Sequence, residues 1–386
     1  MLIAKNEHEL HLLPQMLNRH GLIAGATGSG KTVTLQVMAE NLSREGIPVF
    51  MADIKGDLSG LVVPGNSAKV LDRVKTLSIK DFVFEGNPVT EWDIFSNNGR
   101  AIKTTINRMG ALLLSRLLNL TDTQSSSLYQ IFKIASDNKI DLRNIKDVTS
   151  MVNYITNNAE RFESLYGKIT GASYLALQRS LLMLEDGGAD ILFNSTTESF
   201  DINNFLAIDE NGRGVINILD ATQLIRSPQV YSTFLLWLLQ EFYNTMPEIG
   251  DVDKPKIVFF FDEAHLLFDE ASKMFTDRVE RMVKLVRSKG IGIFFISQNP
   301  IDIPEGVLSQ LGNRVQHAMR AYTPKEQKAV KTIAQTFRNT SRLDVEKAIG
   351  ELKIGEALVS FLSADGSPES VERASICPPH SKIGVR

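Results

Sequence analysis

Near its start the chain carries the stretch Gly25-Ala26-Thr27-Gly28-Ser29-Gly30-Lys31-Thr32. The stretch fills every fixed position of the pattern G-x-x-x-x-G-K-[ST], in which glycines let backbone N–H groups turn inward around an anion. In this pattern Lys31 supplies positive charge to the β- and γ-phosphates of a nucleotide, and the hydroxyl of Thr32 ligates Mg²⁺. The stretch therefore predicts a phosphate-binding loop for ATP, and we include the next residue, Val33, in the nucleotide site.

The residues around the loop predict an α/β fold. Residues 21–24 form a short apolar run before the loop, and residues 33–42 have the spacing of an amphipathic helix after it. Of two longer apolar runs, residues 48–53 end in Asp53, and residues 256–261 lead into Asp262-Glu263. Such runs between helices are typical of central strands in a parallel sheet that is covered on both faces. The expected core is therefore an α/β nucleotide-binding fold with a parallel sheet.

Between these predicted strands the sequence changes from continuous apolar runs to apolar residues at helical spacing. Apolar residues recur at helical spacing over residues 106–120, 125–138, 142–155 and 172–185, with few strand signals between them. We therefore predict a helical insertion over 66–195, a core made of residues 1–65 and 196–362, and a partly irregular tail over 363–386. Within the second part of the core, the pattern predicts strands at 214–220, 291–297 and 313–321. It also predicts helices at 231–244, 272–289, 324–335 and 341–352.

Composition narrows the class of protein. A formal net charge of −3 over 386 residues gives no bulk affinity for nucleic acid, although it permits a local basic groove. The single cysteine, Cys377, excludes an internal disulfide and a cysteine-based metal cage. The first residues lack the apolar core of a signal peptide, and the longest apolar runs are too short to span a bilayer. We expect a cytoplasmic protein that is not inserted in a membrane.

A second acidic motif favours hydrolysis over other uses of a nucleotide. The apolar run before Asp262-Glu263 matches a Walker B strand, whose aspartate holds Mg²⁺ directly or through water. The adjacent Glu263 is placed to polarise a water for attack on the γ-phosphate, which is the work of a general base. Small-molecule kinases do not need that glutamate, because a substrate hydroxyl is their nucleophile. We expect His265 to be a hydrogen-bonding neighbour and not a catalyst.

Other polar residues complete the predicted site. Gln298 follows an apolar strand, and from there its side chain could report the γ-phosphate; an ordinary turn before Pro300 explains it about as well. Basic residues recur at helical spacing along 278–289, which is usually a solvated face. In a ring of ATPases one such arginine reaches a neighbour's γ-phosphate and stabilises the transition state. Arg287 is our first candidate for that role and Arg314 the second, with Arg281 also open.

Several longer stretches resemble the bacterial HerA-like ATPases over nearly the whole chain. They are Asn18-Arg19-His20-Gly21, residues 52–61, 109–116 and 178–182, and Pro378-Pro379-His380-Ser381. More distantly, residues 287–298 and 307–314 are similar to the same region of HerA and FtsK translocases. The resemblance implies a RecA-like core with an inserted strand between the loop strand and the Walker B strand. It also implies a homo-oligomeric, hexameric ring that moves along duplex DNA, with Arg287 as arginine finger and Gln298 as sensor.

One departure from HerA limits what the resemblance implies. HerA carries a β-barrel before its ATPase core, whereas about twenty residues precede the loop here, too few for an independent domain. Because the barrel helps HerA to engage its nuclease partner, a nuclease or other protein partner stays open. The alternative is an ATP-dependent assembly or regulatory protein that does not act on DNA. A two-lobed helicase is disfavoured, because too few residues follow residue 297 for a second lobe.

Overall fold

The computed structural model describes residues 1–95, 99–186, 189–193, 200–224, 227–250, 252–269, 271–338 and 343–385. Over these residues the strands are β1 (Leu2–Lys5), β2 (Glu9–His11), β3 (Gly21–Ala24), β4 (Val49–Asp53), β5 (Val89–Asp93), β6 (Arg100–Ala101), β7 (Ile216–Asp220), β8 (Ile257–Phe261), β9 (Ile291–Ser297), β10 (Asn313–His317), β11 (Glu356–Ser360) and β12 (Glu372–Ile376). The helices are α1 (Lys31–Arg44), α2 (Ala68–Thr76), α3 (Ile106–Leu117), α4 (Asp122–Asp137), α5 (Ile145–Asn157), α6 (Ala159–Tyr166), α7 (Gly171–Asp186), α8 (Pro228–Thr245), α9 (Lys273–Val286), α10 (Glu305–Leu308), α11 (Pro324–Gln335) and α12 (Val345–Glu351).

The described strands form one sheet in the order β2-β1-β12-β11-β10-β3-β9-β8-β4-β7-β5-β6. Neighbours from β10 to β6 pair in parallel, whereas β10, β11, β12, β1 and β2 pair antiparallel. Strand β9 lies between β3, which leads into the phosphate loop, and the Walker B strand β8. The expected inserted strand is therefore present. Because parallel strands share one direction, the carboxyl ends of β3, β9, β8 and β4 meet at one edge.

Strand β8 shows how the sequence covers both faces of the sheet. Its alternate residues Ile257, Phe259 and Phe261 belong to an apolar cluster with residues of helices α3 to α9, while Val258 and Phe260 pack with α1 on the other face. All five residues are fully buried. Complete burial of one such side chain is worth about 1.5–3 kcal/mol. A strand this apolar is stable only inside a three-layer arrangement, and this explains its unbroken hydrophobic run.

The predicted helical insertion is wrong in part. Strands β5 and β6 lie within residues 66–195 and yet belong to the sheet, where β5 pairs with β7. The apolar pattern did not predict β5, because this strand, Val-Thr-Glu-Trp-Asp, is half polar. Helices α3, α4, α5 and α7 match the predicted ones, whereas the sequence pattern missed α2 and α6. The division of the chain into a core and an inserted subdomain stays a prediction.

The tail over residues 363–386, predicted to be partly irregular, also contributes a strand to the sheet. Strand β12 lies beyond residue 363 and pairs with both β11 and β1. The residues after it pack on α1, where the buried carboxylate of Glu40 accepts the backbone N–H groups of His380 at 2.8 Å and Ser381 at 2.9 Å. The hydroxyl of Ser381 also donates to Glu40. The Pro378–Ser381 motif therefore fixes the end of the described chain to the helix that follows the phosphate loop.

Candidate nucleotide site

The phosphate loop adopts a conformation that requires glycine. Gly25 and Gly30 have φ angles of 145° and 116°, in the region that side chains rarely adopt. A Cβ atom at Gly25 would lie 2.5 Å from Cβ of His317, so the backbone also needs the space. The loop is tied to the sheet edge, because the N–H of Gly25 donates to Ser297 O at 3.2 Å and that of Ala26 donates to Ala318 O at 2.9 Å. The first N–H groups of α1 point into the loop without intrahelical acceptors.

Lys31 lies inside the loop that it is predicted to serve. Its buried ammonium group donates to the carbonyl oxygens of Gly25 at 2.6 Å and Ala26 at 3.1 Å. Burial lowers the pKa of Lys31, while the nearby carboxylate of Glu263 opposes that shift. A phosphate group that entered the loop would offer the Lys31 ammonium a charged acceptor in place of the two carbonyl oxygens, and hydrogen bonds between charged groups are stronger.

A buried histidine supports the loop from below. The Nδ1 of His317 donates to Glu356 O at 3.1 Å, which leaves Nε2 to accept from the hydroxyl of Thr34 on α1 at 2.8 Å. Burial lowers the pKa of His317 to about 4, so the ring is neutral at pH 7. Sequence reasoning missed this residue, which ends the mostly polar strand Asn-Arg-Val-Gln-His and so carries no clear signal in the sequence.

Asp262 and Glu263 leave strand β8 at the same edge of the sheet. The carboxylate of Asp262 accepts from the N–H of Glu263 at 2.9 Å, and the hydroxyl of Tyr231 donates to Asp262 O at 2.7 Å. Burial and the adjacent charge of Glu263 raise the pKa of Asp262 to about 6. Glu263 itself has a left-handed backbone, with φ 46° and ψ 50°. A non-glycine residue in that conformation costs of order 1–3 kcal/mol and is typical of functional sites.

A hydrogen-bonded chain of side chains joins the loop to Glu263. The hydroxyl of Thr27 donates to Oε1 of Gln298 at 3.2 Å, and Nε2 of Gln298 donates to the two carboxylate oxygens of Glu263 at 3.2 and 3.3 Å. His265 lies 3.5 Å from the same carboxylate, as expected of a hydrogen-bonding neighbour. The geometry therefore places Gln298 between the phosphate loop and the predicted general base.

Lys55 is a site residue that the sequence did not single out. It follows strand β4, and its Nζ lies 3.8 Å from Oε1 of Glu263. The turn that carries it is fixed by Asp53, whose buried carboxylate accepts the N–H groups of Gly56, Asp57 and Leu58. The signal in the sequence is a lysine two residues after a buried strand, but only the pairing of β4 with β8 shows what it contacts.

These groups surround a cavity of about 250 Å³ that fits a nucleotide phosphate chain and Mg²⁺. Its lining residues are Gly28, Gly30, Lys31, Thr32, Val33, Leu35, Lys55, Asp262, Ile296 and Ile354. A Cβ atom at Gly28 would meet no atom within 4 Å, so space for a phosphate lies beside the loop backbone. In the described part of the chain no group of three or more histidine, cysteine or acidic side chains could hold a metal ion. Thr32 and Asp262 offer the hydroxyl and carboxylate oxygens that Mg²⁺ prefers, with nucleotide phosphates completing its ligands.

The candidate arginines do not reach this cavity within their own chain. Arg287 precedes β9 and therefore lies at the amino edge of the sheet, separated from the loop by a seven-residue strand about 20 Å long. Arg314 is the second residue of β10, at that same edge, and its guanidinium donates to the carbonyl oxygens of Leu308, Leu311 and Thr336. Burial lowers the pKa of Arg314. Arg281 is exposed on α9.

Solved structures and a curated relative resemble the chain over most of its length. VirB4 of Thermoanaerobacter pseudethanolicus has a TM-score of 0.61 at 15% identity, and the match covers 100% of this chain and 96% of that one. The plasmid coupling protein TrwB, solved with the non-hydrolysable ATP analogue ADPNP, has a TM-score of 0.62 at 14% identity, covering 95% and 86%. These likenesses concern the fold, and with the sheet order they confirm the predicted RecA-like phosphate-loop class.

The DNA double-strand break repair helicase HerA of Sulfolobus acidocaldarius is 23% identical over 368 residues, which are 93% of this chain and 65% of that relative. The chain thus spans less than two thirds of the relative's length. In the described part of the chain, no helix has both the length and the apolar character needed to cross a membrane. The family model for the C-terminal part of HerA-like helicases matches residues 2–385. The chain therefore belongs to the helicase HerA-like C-terminal family.

Proposed function

We propose that the chain is a Mg²⁺-dependent ATP hydrolase that acts as a DNA translocase or helicase motor in a homo-oligomeric ring, most simply a hexamer. The observation that carries the proposal is the chain of hydrogen bonds from Thr27 through Gln298 to Glu263. These bonds connect the phosphate loop to the buried residue Glu263, which is 7% exposed. Such a connection is expected where hydrolysis must respond to the bound nucleotide. ATP and DNA are both available in the cytoplasm, which is the proposed setting.

The proposed reaction is attack of water on the γ-phosphorus of ATP. Glu263 accepts a proton from that water, the bond between the γ-phosphorus and the β,γ-bridging oxygen breaks, and the products are ADP and inorganic phosphate. Lys31 and Lys55 face the charge that develops on the transferred group. Mg²⁺, held by Thr32 and Asp262 with the β- and γ-phosphates, would neutralise part of that charge.

The charged residues that line the cavity support a homo-oligomeric ring. The cations among the described lining residues are Lys31 and Lys55, and those residues include no arginine. ATPases of this class commonly stabilise the transition state with an arginine supplied by a neighbour. Arg287, at the amino edge of the sheet, is too far from its own loop and is proposed to serve the site of an adjacent subunit.

DNA is supported as the partner by family membership and by the relative from Sulfolobus acidocaldarius, which is a DNA double-strand break repair helicase. ATP turnover measured with and without duplex DNA tests this part of the proposal. We expect duplex DNA to stimulate turnover and moderate salt to remove the stimulation, because phosphate contacts are screened. Lys31→Ala serves as the inactive control. Turnover that ignores DNA at every salt concentration would contradict the motor and favour the regulatory ATPase.

A further inference from the structure

Ile354 is an exposed apolar side chain held rigidly beside the phosphate loop. It lies in the turn between α12 and β11 and is 78% exposed. The next residue, Gly355, donates its N–H to Ser29 O at 3.1 Å and accepts from Nη2 of Arg73 at 2.5 Å. Arg73 in turn donates from Nε to Ile376 O at 2.8 Å. The turn is therefore tied both to the loop and to strand β12.

The sheet order places this turn opposite the hydrolytic groups. Strand β11 lies two positions from β3 on one side, whereas β8, which carries Glu263, lies two positions away on the other. With strands about 4.8 Å apart, the two sides are separated by roughly 19 Å. Both sides contribute to the lining of the same cavity, through Asp262 and Lys55 on one and Ile354 on the other.

The cavity therefore has a charged part and an apolar part. The γ-phosphate belongs beside Glu263, Gln298 and Lys55, because these are the groups suited to hydrolysis. The nucleoside must then leave the loop on the side of β11. Val33 and Leu35 of α1 line the same cavity and extend its apolar character. Nucleotide pockets typically combine an apolar wall for the ring with a few polar groups for the phosphates.

We propose that Ile354 forms one wall of the subsite that receives the base of the bound nucleotide. The inference rests on the proposed function, since it concerns the nucleotide of that same site. A flat heteroaromatic base laid on the isoleucine side chain would cover apolar surface that is otherwise in water. The bonds of Gly355 to Ser29 and Arg73 fix the wall in place, so little conformational freedom is lost when the base arrives.

The chemistry of the wall sets the expected specificity. An isoleucine side chain makes no hydrogen bond, so it contacts the ring face and does not read the exocyclic groups of the base. The affinity for ATP and for GTP should therefore fall by the same factor when Ile354 is shortened. Inorganic tripolyphosphate lacks a base, so its affinity should not change when Ile354 is shortened.

Equilibrium binding of ADPNP, its guanine counterpart and tripolyphosphate to the full chain tests the inference. We expect Ile354→Ala to raise the Kd of both nucleotides roughly fivefold to tenfold, as partial loss of one apolar contact implies. Ile354→Asp should raise it further, while the Kd of tripolyphosphate stays constant. The matched control is Ile208→Ala, another exposed isoleucine, at 57%, which is not among the residues that line the cavity.

Two results would overturn the inference. An unchanged Kd for ADPNP in Ile354→Ala would show that the base lies elsewhere. An equal loss for ADPNP and tripolyphosphate would show that Ile354 merely supports the loop. In either case normal ADPNP binding by the unmodified chain would leave the proposed function standing. If the unmodified chain bound no nucleotide, the proposed function itself would fail.

Discussion

Gln298 donates its side-chain amide to the carboxylate of Glu263 at 3.2 Å, while its carbonyl oxygen accepts from Thr27 at the same distance. We expect Gln298→Ala to lower kcat about tenfold or more, because the carboxylate loses the partner that orients it, and to change KM little. Steady-state kinetics of Gln298→Ala, Thr27→Val and the variant that carries both substitutions tests whether the hydrogen bonds from Thr27 through Gln298 to Glu263 act together. The two effects should be less than additive, and full additivity would mean that the residues act independently.

The carboxylate of Glu263 gives the second prediction. Glu263→Gln keeps the size of the side chain and removes its basicity, so it should bind ATP normally and hydrolyse it at least about a hundredfold more slowly. Single-turnover hydrolysis together with a binding titration measures the two properties separately. Glu160→Gln, at an exposed position on α6, is the matched control. Near-normal turnover of Glu263→Gln would assign the base to another group.

Lys55 provides a prediction about charge. Lys55→Met keeps most of the length of the side chain and removes the positive charge that lies 3.8 Å from Glu263. We expect kcat/KM to fall and the acid limb of its pH profile to move to higher pH, because burial raises the pKa of Asp262 and the charge of Lys55, which opposes that rise, would be lost. Lys146→Met, on the exposed face of α5, controls for loss of charge in general. An unmoved pH profile would limit Lys55 to binding.

The raised pKa of Asp262 predicts a pH dependence of stability. The ordinary value of 3.8 rises to about 6 in the folded chain, so the folded state binds the proton more tightly than the unfolded state. The resulting contribution to the free energy of unfolding is complete below about pH 4 and is lost as the pH rises through about 6. Its size is at most about 3 kcal/mol, less whatever solvent screens.

Urea unfolding in EDTA without nucleotide measures this contribution at pH 4 and at pH 7. Relative to the unmodified chain, Asp262→Asn should gain stability between the lower and the higher pH, because the buried charge is absent. Asp53 and Glu241 also have raised pKa values, so the comparison with Asp262→Asn isolates one group. A difference between the two proteins that does not change with pH would show that Asp262 keeps an ordinary pKa.

Arg287 gives a prediction about subunits. Because it lies at the far edge of the sheet from its own loop, Arg287→Ala should abolish most turnover without weakening ATP binding. Mixing Arg287→Ala subunits with Lys31→Ala subunits should restore part of the activity, since some interfaces would then pair an intact loop with an intact arginine. Arg161→Ala, at an exposed position on α6, is the control. Full activity of Arg287→Ala alone would make Arg287 a surface charge.

The parts of the site that sequence could predict are those whose chemistry is local. The loop of residues 25–32 and the pair Asp262-Glu263 each combine a recognisable pattern with an adjacent buried strand. In the structure, residues of the loop and Asp262 line one cavity. Strands β4, β8 and β9 were predicted because they are apolar throughout, as strands covered on both faces must be.

What sequence could not predict depends on pairing between distant segments. Strands β5 and β12 are half polar and take their place in the sheet only from their neighbours. Lys55 becomes a site residue because β4 lies beside β8, and Ile354 because β11 lies beside β10. The position of Arg287 likewise follows from the direction of β9, which no local pattern encodes.

The attachment of residues 380 and 381 to Glu40 gives α1 a second fixed point besides its phosphate-binding end. A helix is a stiff rod, so a displacement at one of these points is felt at the other. Helix α1 therefore connects the phosphate loop, where a nucleotide would bind, to the last described residues of the chain, more than 340 positions away in sequence. A displacement of that distal segment would reach Lys31 only through the part of α1 that joins Glu40 to the loop.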